Sequence, residues 1–343
     1  MKQYLQKLID RQNMTQAETT AVFDLIMSGQ VTPAQIGALL IALRMKGEVV
    51  DEIAGAALSM RRHAVFVDPS GLPVIDTCGT GGDGLHTFNI STTAAFVVAG
   101  AGVPVAKHGN RAMSSKCGSA DVLAQLGVNI EAPPEVVEQC IREAGIGFLY
   151  APKLHPAMKH AMGPRRELGV RTVFNMLGPL TNPAGAKGQV LGVFAAQLTE
   201  PFADVLRMLG SRRAFVVHGH DGMDEITTTQ PTRISELRDG KVKTYELDPL
   251  QFIESYSRPD DLLGGDPAFN ADIVNRVLSG EKGARRDIVG LNAAAGIVAG
   301  GKASDLREGL AMAHAAIDSG RAMQTLKKLI ERTKPALNAK ATL

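Results

Sequence analysis

A glycine-rich segment followed by a hydroxyl-rich one, between residues 74 and 119, carries most of the groups that could do chemistry. Four glycines occur in the six residues Gly79-Thr80-Gly81-Gly82-Asp83-Gly84, after the apolar, β-branched segment Val74–Thr77. Ser91-Thr92-Thr93 then precedes an apolar run, Ala94–Ala99, which is typical of a helix that begins with a hydroxyl cap. A strand, a glycine loop and a helix N-terminus in this order leave backbone N–H groups free to face an anion. The segment therefore predicts a phosphate-binding site.

Cationic and hydroxyl side chains follow the next apolar segment, Val103–Ala106. Lys107-His108-Gly109-Asn110-Arg111 comes directly after it, and Ser114-Ser115-Lys116 lies a few positions further on. A solvated charged loop would show the same composition. Loops at the carboxyl ends of parallel strands are, however, where α/β proteins bind ligands. Because the loops after Thr77 and Ala106 follow successive predicted strands, we expect them to lie side by side and to form one site.

Two adjacent carboxylates, Asp224 and Glu225, follow a third apolar segment, Ala214–Val217. Mg²⁺ in proteins is typically held by one or two carboxylates together with the phosphates of a substrate. The pair Asp51-Glu52 has a simpler explanation, since acidic residues suit a helix N-terminus, and Asp260-Asp261 fits a solvated loop. Beside a glycine loop that lacks metal ligands of its own, Asp224 and Glu225 are the leading metal-binding candidates.

The glycine loop does not match the common nucleotide-binding motifs. No Lys-Ser/Thr pair follows the glycines, as it would in a Walker A loop, and the glycines are too dense for the dinucleotide-binding spacing. Asp83 would repel a phosphate, so we expect it to meet a sugar hydroxyl or to position the loop. Asn89, Ser91 and Thr92 fit a simple helix cap, but Ser91 could also give an oxygen ligand to a metal that bridges to phosphate. The residues alone leave both roles open.

Histidine and arginine pairs elsewhere give weaker indications. His155 and His160 are five positions apart rather than the four of the zinc motif HExxH, and no further zinc ligands accompany them. Arg165-Arg166 is typical of a solvated helix face, although one arginine there could hold a substrate carboxylate through two parallel hydrogen bonds. The sequence does not decide between these two roles.

Composition excludes several classes of function. The 343 residues exceed the usual size of one core, so one large domain or two unequal domains are expected. A formal net charge of +2 gives no basic field for a nucleic-acid partner. Three cysteines without CxxC spacing favour a reducing, cytoplasmic compartment. The N-terminus is too polar for a secretory signal, and the longest apolar run, residues 94–106, is too short to span a membrane.

The elements that position these residues fall into two groups. Residues 1 to about 65 are predicted to be helical throughout, with capping-box patterns at Thr15–Glu18 and Thr32–Gln35 and a fourth helix from Asp51 to about His63. Four helices without an intervening strand predict a separate helical lobe. From Pro73 onward, short apolar strands alternate with helical segments, which predicts βαβ units and a largely parallel sheet.

The predicted strands are Val74–Thr77, Val103–Ala106, Ile146–Tyr150, Val190–Phe194 and Ala214–Val217, followed by a hairpin of Arg233–Leu237 and Lys241–Glu246 around Asp239-Gly240. A long segment, residues 155–188, separates two of these strands. Its first half is predicted to be helical, and its second half, Asn175–Pro183, is predicted to be a loop on composition. A helical tail covers Asp266–Leu278, Ala284–Ala299, Ser304–Asp318 and Ala322–Ile330.

Four stretches together resemble the anthranilate phosphoribosyltransferase family of tryptophan biosynthesis. They are DTCGTGGDG, FNISTTAAFVVAGAGVPVAKHGNRAMSSKCGSADVLAQLG, HPAMKHAMGPRRELGVRTVFNMLGPLTNPA and GMDEITT, and the likeness extends over essentially the whole chain. The resemblance implies a large α/β domain with a mainly parallel sheet flanked by helices, plus a small all-α domain. It implies that residues 1–70 and 160–185 form the helical domain, that residues 71–159 and 186–343 form the α/β domain, and that the protein is a homodimer.

The resemblance also implies transfer of phosphoribose from phosphoribosyl pyrophosphate (PRPP) to the amine of anthranilate, with two Mg²⁺ ions per subunit. The residues that would contact PRPP are Gly79, Gly82, Asp83, Thr87, Asn89, Ile90, Ser91, Thr92, Lys107, Ser115 and Ser119. Gly79, Asn110 and Arg165 would contact anthranilate, and Ser91, Asp224 and Glu225 would hold the metal. Lys107 and His108 are the candidate catalytic residues: Lys107 would stabilise the leaving pyrophosphate, and His108 is the best candidate if a general base is used. We expect no essential general base, because the amine of anthranilate is already neutral.

Two alternatives share this fold. A pyrimidine nucleoside phosphorylase would have Gly-Thr-x-Asp where this chain has Gly118-Ser119-Ala120-Asp121. A non-enzymatic, DNA-binding relative would show a basic ridge and would lack the metal-binding pair. The near-neutral charge and the presence of Asp224 and Glu225 disfavour the second alternative.

Overall fold

The chain begins with four helices that confirm the predicted helical start. The computed structural model describes residues 1–112 and 116–334. Its first helices are α1 (Lys2–Ile9), α2 (Gln16–Met27), α3 (Pro33–Lys46) and α4 (Val50–Arg62). Both predicted capping boxes form: the Thr15 hydroxyl accepts from the Glu18 N–H while the Glu18 carboxylate accepts from the Thr15 N–H, and Thr32 and Gln35 pair in the same way. These bonds satisfy N–H groups that the start of a helix leaves unpaired.

The strands of the described residues form a seven-stranded sheet in the order β3-β2-β1-β4-β5-β6-β7. They are β1 (Ile75–Gly79), β2 (Val105–Gly109), β3 (Ile146–Tyr150), β4 (Gly188–Gly192), β5 (Arg213–Gly219), β6 (Thr232–Arg238) and β7 (Lys241–Leu247). The pairs among β1 to β5 are parallel, and β6 and β7 are antiparallel additions at one edge. The mainly parallel sheet is thereby confirmed. Since β1 lies between β2 and β4, the chain winds in opposite directions from this point, and the carboxyl ends of β1 and β4 border the topological switch point of the sheet.

β2 differs from its predicted bounds, and this difference changes the position of two candidate residues. The strand begins at Val105 rather than Val103, because Pro104 has no N–H to donate to a ladder. It continues to Gly109, so that Lys107 and His108 belong to the strand and not to the loop after it. Both residues are paired with β3. The sheet therefore fixes their backbones.

The remaining helices cover both faces of the sheet. They are α5 (Ile90–Gly100), α6 (Ser119–Gln125), α7 (Pro134–Ala144), α8 (Ala151–Leu154), α9 (Lys159–Leu168), α10 (Phe174–Leu177), α11 (Thr199–Met208), α12 (Pro267–Leu278), α13 (Ala284–Ala299), α14 (Leu306–Asp318) and α15 (Arg321–Thr333). Short 3₁₀ turns occupy Pro156–Met158, Gly178–Leu180, Ala196–Leu198, Pro249–Gln251 and Pro259–Leu262. No helix of the described residues has the length and apolar character needed to cross a membrane.

The segment from Asn175 to Pro183 is not the continuous loop that its composition predicts. α10 covers its first part, and a 3₁₀ turn follows at Gly178–Leu180. Phe174, Leu177 and Leu180 are buried in the same apolar core as the N-terminal helices. Burial of these side chains against another part of the chain stabilises helical turns that the local Gly and Pro content disfavours.

Two large apolar cores lie on opposite faces of the sheet. On one face, α5 and α13 pack together and cover the parallel strands. On the other face, α11 packs on β5 and β6 and is itself contacted by α4. The second core therefore runs from the N-terminal helices through α11 to the sheet without interruption.

Candidate active site

Asp224 reaches the switch point from the segment between β5 and β6. A Cβ atom built on Gly79, at the end of β1, would collide with the Asp224 carboxylate, and one on Gly192, at the end of β4, would collide with the Asp224 backbone. Only glycine allows two strand ends to approach this segment so closely. Gly79 and Gly192 thus create the space that Asp224 occupies.

The two carboxylates accept hydrogen bonds from the predicted phosphate-binding segment. The Gly81 N–H donates to Asp224 Oδ2 over 2.8 Å, and the Ser91 N–H donates to Glu225 Oε1 over 3.0 Å. Asn89, the N-cap residue of α5, makes no side-chain cap. The hydroxyl cap that we expected at the start of this helix is therefore wrong, because Glu225 binds one of the free N–H groups from a distant part of the chain. A carboxylate is favourable there, since it faces the positive end of the helix.

The carboxylate pair is short of compensating positive charge. Burial and the charge of Asp83 raise the pKa of Asp224 to about 6. Burial and the charge of Asp224 raise the pKa of Glu225 to about 8, although Lys107 acts in the opposite direction. Two carboxylates and the neighbouring Ser91 present the hard oxygen atoms that Mg²⁺ prefers. In residues 1–112 and 116–334, no three His, Cys, Asp or Glu side chains form a complete metal site. These groups fit a divalent cation whose coordination is completed by a substrate.

Lys107 lies between the carboxylate pair and a second buried acid. Its side chain is buried, and its ammonium group donates a hydrogen bond to the Thr77 carbonyl of β1. Burial lowers the pKa of Lys107, and the charges of Asp76 and Glu225 partly offset this effect. The lysine is therefore held in the middle of β2 and against the middle of β1, where its charge acts on Glu225.

The glycine loop presents unpaired N–H groups. Gly81, Gly82 and Gly84 all have positive φ angles, of 65°, 81° and 76°. Among the residues that the structure describes, no acceptor binds the N–H of Gly82, Asp83 or Gly84. Successive N–H groups in a turn of this kind form a concave site for an anion. The Asp83 carboxylate accepts from the Leu85 N–H over 3.3 Å, so one of its two expected roles, positioning the loop, has a direct contact.

A buried polar layer supports the site on the other face of the sheet. Asp76 accepts hydrogen bonds from the His108 N–H (3.1 Å) and from Asn182 Nδ2 (2.8 Å), and Asn182 also donates to the Ala106 carbonyl (2.7 Å). Gln189 of β4 donates to the Pro179 carbonyl over 2.6 Å. These bonds satisfy polar groups that would be costly to leave unpaired in the interior. They fasten the segment around residues 178–182 to three strands.

His108 has both ring nitrogens occupied within the protein. Nδ1 lies 3.1 Å from the Gly178 carbonyl oxygen and must donate to it, so Nε2 carries the lone pair. Nε2 of His155 lies 3.2 Å from this Nε2 and donates to it. Burial, with the additional effect of His155, lowers the pKa of His108 to about 3, and burial lowers that of His155 to about 4. In this arrangement His108 has no free lone pair to receive a proton from a substrate.

The other candidate residues lie in three places: near the start of α5, at the end of β2 and inside the first turn of α5. Asn89 bonds to Cys117 and to Asn270 Nδ2, and Thr87 forms an isolated bridge with Leu263. The Asn110 carbonyl accepts from the Ser119 hydroxyl over 3.2 Å, so these two residues meet at the end of β2. Ile90 and Thr92 are buried in the first turn of α5. Ser115 lies outside the described residues.

Arg165, in α9, lies over the ring of Phe174 with its guanidinium carbon 5.1 Å from the ring centroid. Burial lowers its pKa. Among the described residues, no acceptor binds its guanidinium group, whose donors are therefore available to a planar carboxylate. Of the two roles left open by the sequence, this geometry favours binding over a solvated helix face.

Sequence reasoning missed several residues that support the site. Asp76 could have been found, because a carboxylate inside an apolar strand requires a buried partner. Asn182, Arg171 and Asn292 could not be assigned a supporting role from residue type, since asparagine and arginine are common in turns and on helix surfaces. Asn292 of α13 donates from Nδ2 to the Ile226 carbonyl and accepts at Oδ1 from the Ile226 N–H, both over 2.9 Å. It thereby holds the residue next to Glu225.

The fold and the site together define a glycosyltransferase. Residues 71–323 match the family model described as "Glycosyl transferase family, a/b domain", and residues 2–64 match the model described as "Glycosyl transferase family, helical bundle domain". A protein of Desulfosudis oleivorans named anthranilate phosphoribosyltransferase is 60% identical over 333 residues, which cover 97% of this chain and 98% of the relative. A protein of Syntrophobacter fumaroxidans with the same name is 56% identical over 96% of this chain and 98% of its own length.

Solved structures agree with these matches. The anthranilate phosphoribosyltransferase of Thermus thermophilus superposes with a TM-score of 0.92 at 45% identity and covers 97% of this chain and 99% of its own. The Saccharomyces cerevisiae enzyme, solved in complex with PRPP and Mg, gives a TM-score of 0.86 at 29% identity, with 96% and 97% coverage. The chain belongs to the anthranilate phosphoribosyltransferase family. The matched relatives favour this family over the nucleoside phosphorylases and the DNA-binding relatives.

Proposed function

We propose that the protein transfers the phosphoribosyl group of PRPP to the amine of anthranilate, which gives N-(5-phosphoribosyl)anthranilate and pyrophosphate in tryptophan biosynthesis. One observation carries the proposal: unpaired loop N–H groups, a buried lysine and two carboxylates meet at the same switch point. The relative at 60% identity carries the name of this activity. The structural relative from Saccharomyces cerevisiae in complex with PRPP and Mg supports the donor and the metal.

PRPP would occupy the carboxyl ends of β1 and β2. The N–H groups of the glycine loop, including Gly82 and Asp83, face the pyrophosphate, and Lys107 adds a positive charge beside it. The residues proposed to contact PRPP are Gly79, Gly82, Asp83, Thr87, Asn89, Ile90, Ser91, Thr92, Lys107, Ser115 and Ser119. Their support is the clustering of the described members around the ends of β1 and β2 and the N-terminus of α5.

The metal site would consist of Ser91, Asp224 and Glu225 and would hold two Mg²⁺ ions per subunit. The raised pKa values of Asp224 and Glu225 support this proposal, because a cation would relieve the repulsion that raises them. When bound, Mg²⁺ neutralises negative charge on the pyrophosphate as it leaves. The Gly81 and Ser91 N–H groups hold the two carboxylates in place for this task.

Anthranilate would be held by Gly79, Asn110 and Arg165. Arg165 offers a planar pair of donors for the carboxylate of the substrate. Its contact with Phe174 restricts the guanidinium, so that less rotational freedom is lost on binding. A 4-fluoroanthranilate complex of the Saccharomyces cerevisiae relative supports an aromatic acceptor of this kind.

The reaction breaks the bond between ribose C1 and the pyrophosphate oxygen and forms a bond between C1 and the anthranilate nitrogen. Pyrophosphate leaves with the electron pair, and the amine loses one proton to solvent. Lys107 and the loop N–H groups stabilise the charge that develops on the leaving group. Because the amine is neutral, the protein must place it more than activate it. The occupied nitrogens of His108 support a mechanism without an essential general base.

We also propose that residues 1–70 and 160–185 form the helical domain. Residues 71–159 and 186–343 would form the α/β domain. The contact of Phe23 in α2 with Phe174, whose ring centroids lie 5.6 Å apart, supports assigning the segment around α10 to the helical domain.

A homodimer is supported by two exposed apolar side chains, Ile9 of α1 and Met45 of α3, on helices that pack together. A cytoplasmic location is supported by the three cysteines, all of which are free thiols.

The loss of anthranilate fluorescence in the presence of PRPP and Mg²⁺ tests the proposed function. We expect Arg165→Ala to raise the KM for anthranilate by about tenfold to a hundredfold, because a charged hydrogen-bond pair is lost. The Asp224→Ala/Glu225→Ala double variant should lose metal-dependent turnover. Arg166→Ala, on an exposed position, and an Asp260→Ala/Asp261→Ala double variant, in a partly exposed turn, are the controls and should resemble the wild type.

Two outcomes would contradict these assignments. An Arg165→Ala variant that weakens only the use of PRPP would show that the acceptor site is elsewhere. Release of thymine from thymidine and phosphate, without any use of PRPP, would show that the protein is a nucleoside phosphorylase.

A further inference from the structure

Arg171 joins the segment that carries Arg165 to the glycine loop. Its Nη2 donates a hydrogen bond to the Gly82 carbonyl oxygen over 2.8 Å, although the two residues are 89 positions apart. Its guanidinium carbon lies 4.6 Å from the centroid of the Phe194 ring, just beyond the end of β4. A hydrogen bond and a cation–π contact thus hold one side chain between two loops at the switch point.

The hydrogen bond orients a peptide unit that glycine would otherwise leave free to rotate. Gly82 has a φ of 81°, and a Cβ atom there would lie 2.6 Å from Arg171 Nη2. In a planar trans peptide the carbonyl and the next N–H point in opposite directions. When Arg171 holds the Gly82 carbonyl, the Asp83 N–H is turned to the opposite side. Since Asp224 holds the Gly81 N–H, the unpaired Gly82 N–H lies between two fixed peptide groups.

Arg171 also adds positive charge to a site that is rich in carboxylates. The charge of Asp83 raises the pKa of Asp224 and of Glu225, the charge of Asp224 raises that of Glu225 further, and Lys107 is the cation that acts on Glu225. A pyrophosphate that gains charge as it leaves would be repelled by this set unless further positive charge lies nearby. The guanidinium of Arg171 contacts the loop that would bind this pyrophosphate.

We propose that Arg171 is a positioning residue for phosphoribosyl transfer: it holds the glycine loop in the conformation that binds the pyrophosphate of PRPP. This inference rests on the function proposed above. Arg171 is exposed, and exposed charged contacts contribute little to folding stability. Its removal should therefore change the use of PRPP and leave the fold intact.

Steady-state kinetics of Arg171→Met, Arg171→Lys and the control Arg166→Met test the proposal, together with calorimetric binding of PRPP and Mg²⁺ in the absence of anthranilate. Arg171→Met should raise both the KM and the Kd for PRPP by about tenfold, as expected for a lost hydrogen bond from a charged group. The KM for anthranilate at saturating PRPP should change by less than about twofold. Arg171→Lys keeps the charge without the planar group and should lie between the wild type and the Met variant.

The controls separate this proposal from the proposed function. A wild-type protein that uses no anthranilate with PRPP would contradict the proposed function itself. An active wild type, with Arg171→Met indistinguishable from Arg166→Met, would overturn only the role of Arg171, as would a change confined to the KM for anthranilate. If Arg171→Met fails to fold, Arg171→Lys and Phe194→Leu give the same comparison, since Phe194→Leu removes the stacked ring and keeps an apolar side chain against the core. Unchanged PRPP affinity in both of these variants would overturn the proposal.

Discussion

At His108, a side chain that could do acid–base chemistry is committed to internal contacts. Its Nδ1 binds the Gly178 carbonyl, its Nε2 faces His155, and its backbone N–H binds Asp76. These three contacts join β2 to β1, to the segment before β4 and to the residue after α8. The histidine therefore orders the wall of the site, and the residue type alone did not distinguish this role from catalysis.

Replacement of His108 by glutamine should lower kcat by no more than about tenfold, because no proton transfer depends on the imidazole. Lys107→Gln, by contrast, should lower kcat by at least about a hundredfold, because it removes charge stabilisation of the leaving group. Single-turnover measurements at saturating PRPP separate these chemical effects from binding. Loss of several orders of magnitude in His108→Gln, with PRPP binding intact, would show that a general base is required.

The two buried histidines also predict a dependence of stability on pH. Their pKa values are lowered from an ordinary 6.5 to about 3 and about 4, so the unfolded chain binds more protons than the folded one as the pH falls below about 6.5. The free energy of unfolding should therefore decrease as the pH falls from about 6.5 towards 4. Each histidine should contribute on the order of 1–2 kcal/mol between pH 6.5 and 5.

Urea unfolding at pH 7.5 and at pH 5 measures this effect in the wild type and in His155→Gln. The glutamine keeps a donor near His108 but does not titrate, so the variant should lose less stability than the wild type on acidification. His63, which is partly exposed at the end of α4, provides the control as His63→Gln. If the wild type and His155→Gln lose the same free energy of unfolding between pH 7.5 and pH 5, the two histidines are not a neutral buried pair.

At the residue scale, the sequence was informative where a residue type is unusual for its place. Dense glycines, a lysine in the predicted loop after a strand and adjacent carboxylates led to the phosphate and metal assignments that are proposed above. Arg171 and Asn182 could not be assigned in this way, because arginines and asparagines are common on surfaces and in turns. What makes them important is a partner 89 or 106 positions away in the chain, and only the fold brings such partners together.

Helix α13 positions the proposed metal-binding segment through one side chain. Asn292 is buried and pairs with both the N–H and the carbonyl of Ile226, as a neighbouring strand would. A third bond runs from its Nδ2 to the Ile288 carbonyl within the helix. The side-chain amide of Asn292 thus fixes the backbone beside Glu225 relative to α13.

Asn292→Asp should weaken the proposed metal site without changing a proposed ligand. The change places a carboxylate oxygen against the Ile226 and Ile288 carbonyls, where the amide donated hydrogen bonds. We expect the Mg²⁺ concentration for half-maximal rate to rise about tenfold and the thermal midpoint to fall by several degrees. Asn275→Asp, an exposed asparagine in the neighbouring helix α12, is the control. A fall in stability with an unchanged Mg²⁺ dependence would show that Asn292 serves the fold alone.

The helices and strands themselves were largely predictable, because the hydrophobic period and the capping residues of an element lie within a few positions of one another in the sequence. The hairpin around Asp239-Gly240 is an example: both residues have positive φ angles, of 51° and 74°, as a two-residue turn requires. Local signals failed where another element supplies the missing interaction. The cap of α5 comes from Glu225, and α10 forms because Phe174 and Leu177 are buried against the N-terminal helices.

The molecule as a whole joins its N-terminal helices to the sheet through α11. Phe202 and Leu206 of α11 are buried in the core that also contains Phe23 of α2 and Val216 of β5. Arg61 of α4 adds a polar contact across the same boundary, with a hydrogen bond from Nη1 to the carbonyl of Leu209, the residue after α11, over 3.5 Å. The proposed acceptor residue Arg165 lies on α9, whose Ala161 belongs to this core, whereas Met223 and Ile226, which flank the proposed metal pair, belong to the core on the opposite face of the sheet.

The uninterrupted apolar core from the N-terminal helices to the sheet predicts that α11 couples these helices to one face of the sheet. Phe202→Ala should destabilise the protein by about 3–5 kcal/mol, because it removes a fully buried aromatic ring. Amide hydrogen exchange should then increase in α2 and α4 as well as in β4 and β5. Phe96→Ala in α5 removes an equally buried ring from the opposite face, and its increase should centre on α5 and α13. Faster exchange in the sheet of Phe202→Ala, with α2 and α4 unchanged, would show that the helical part is stable without α11.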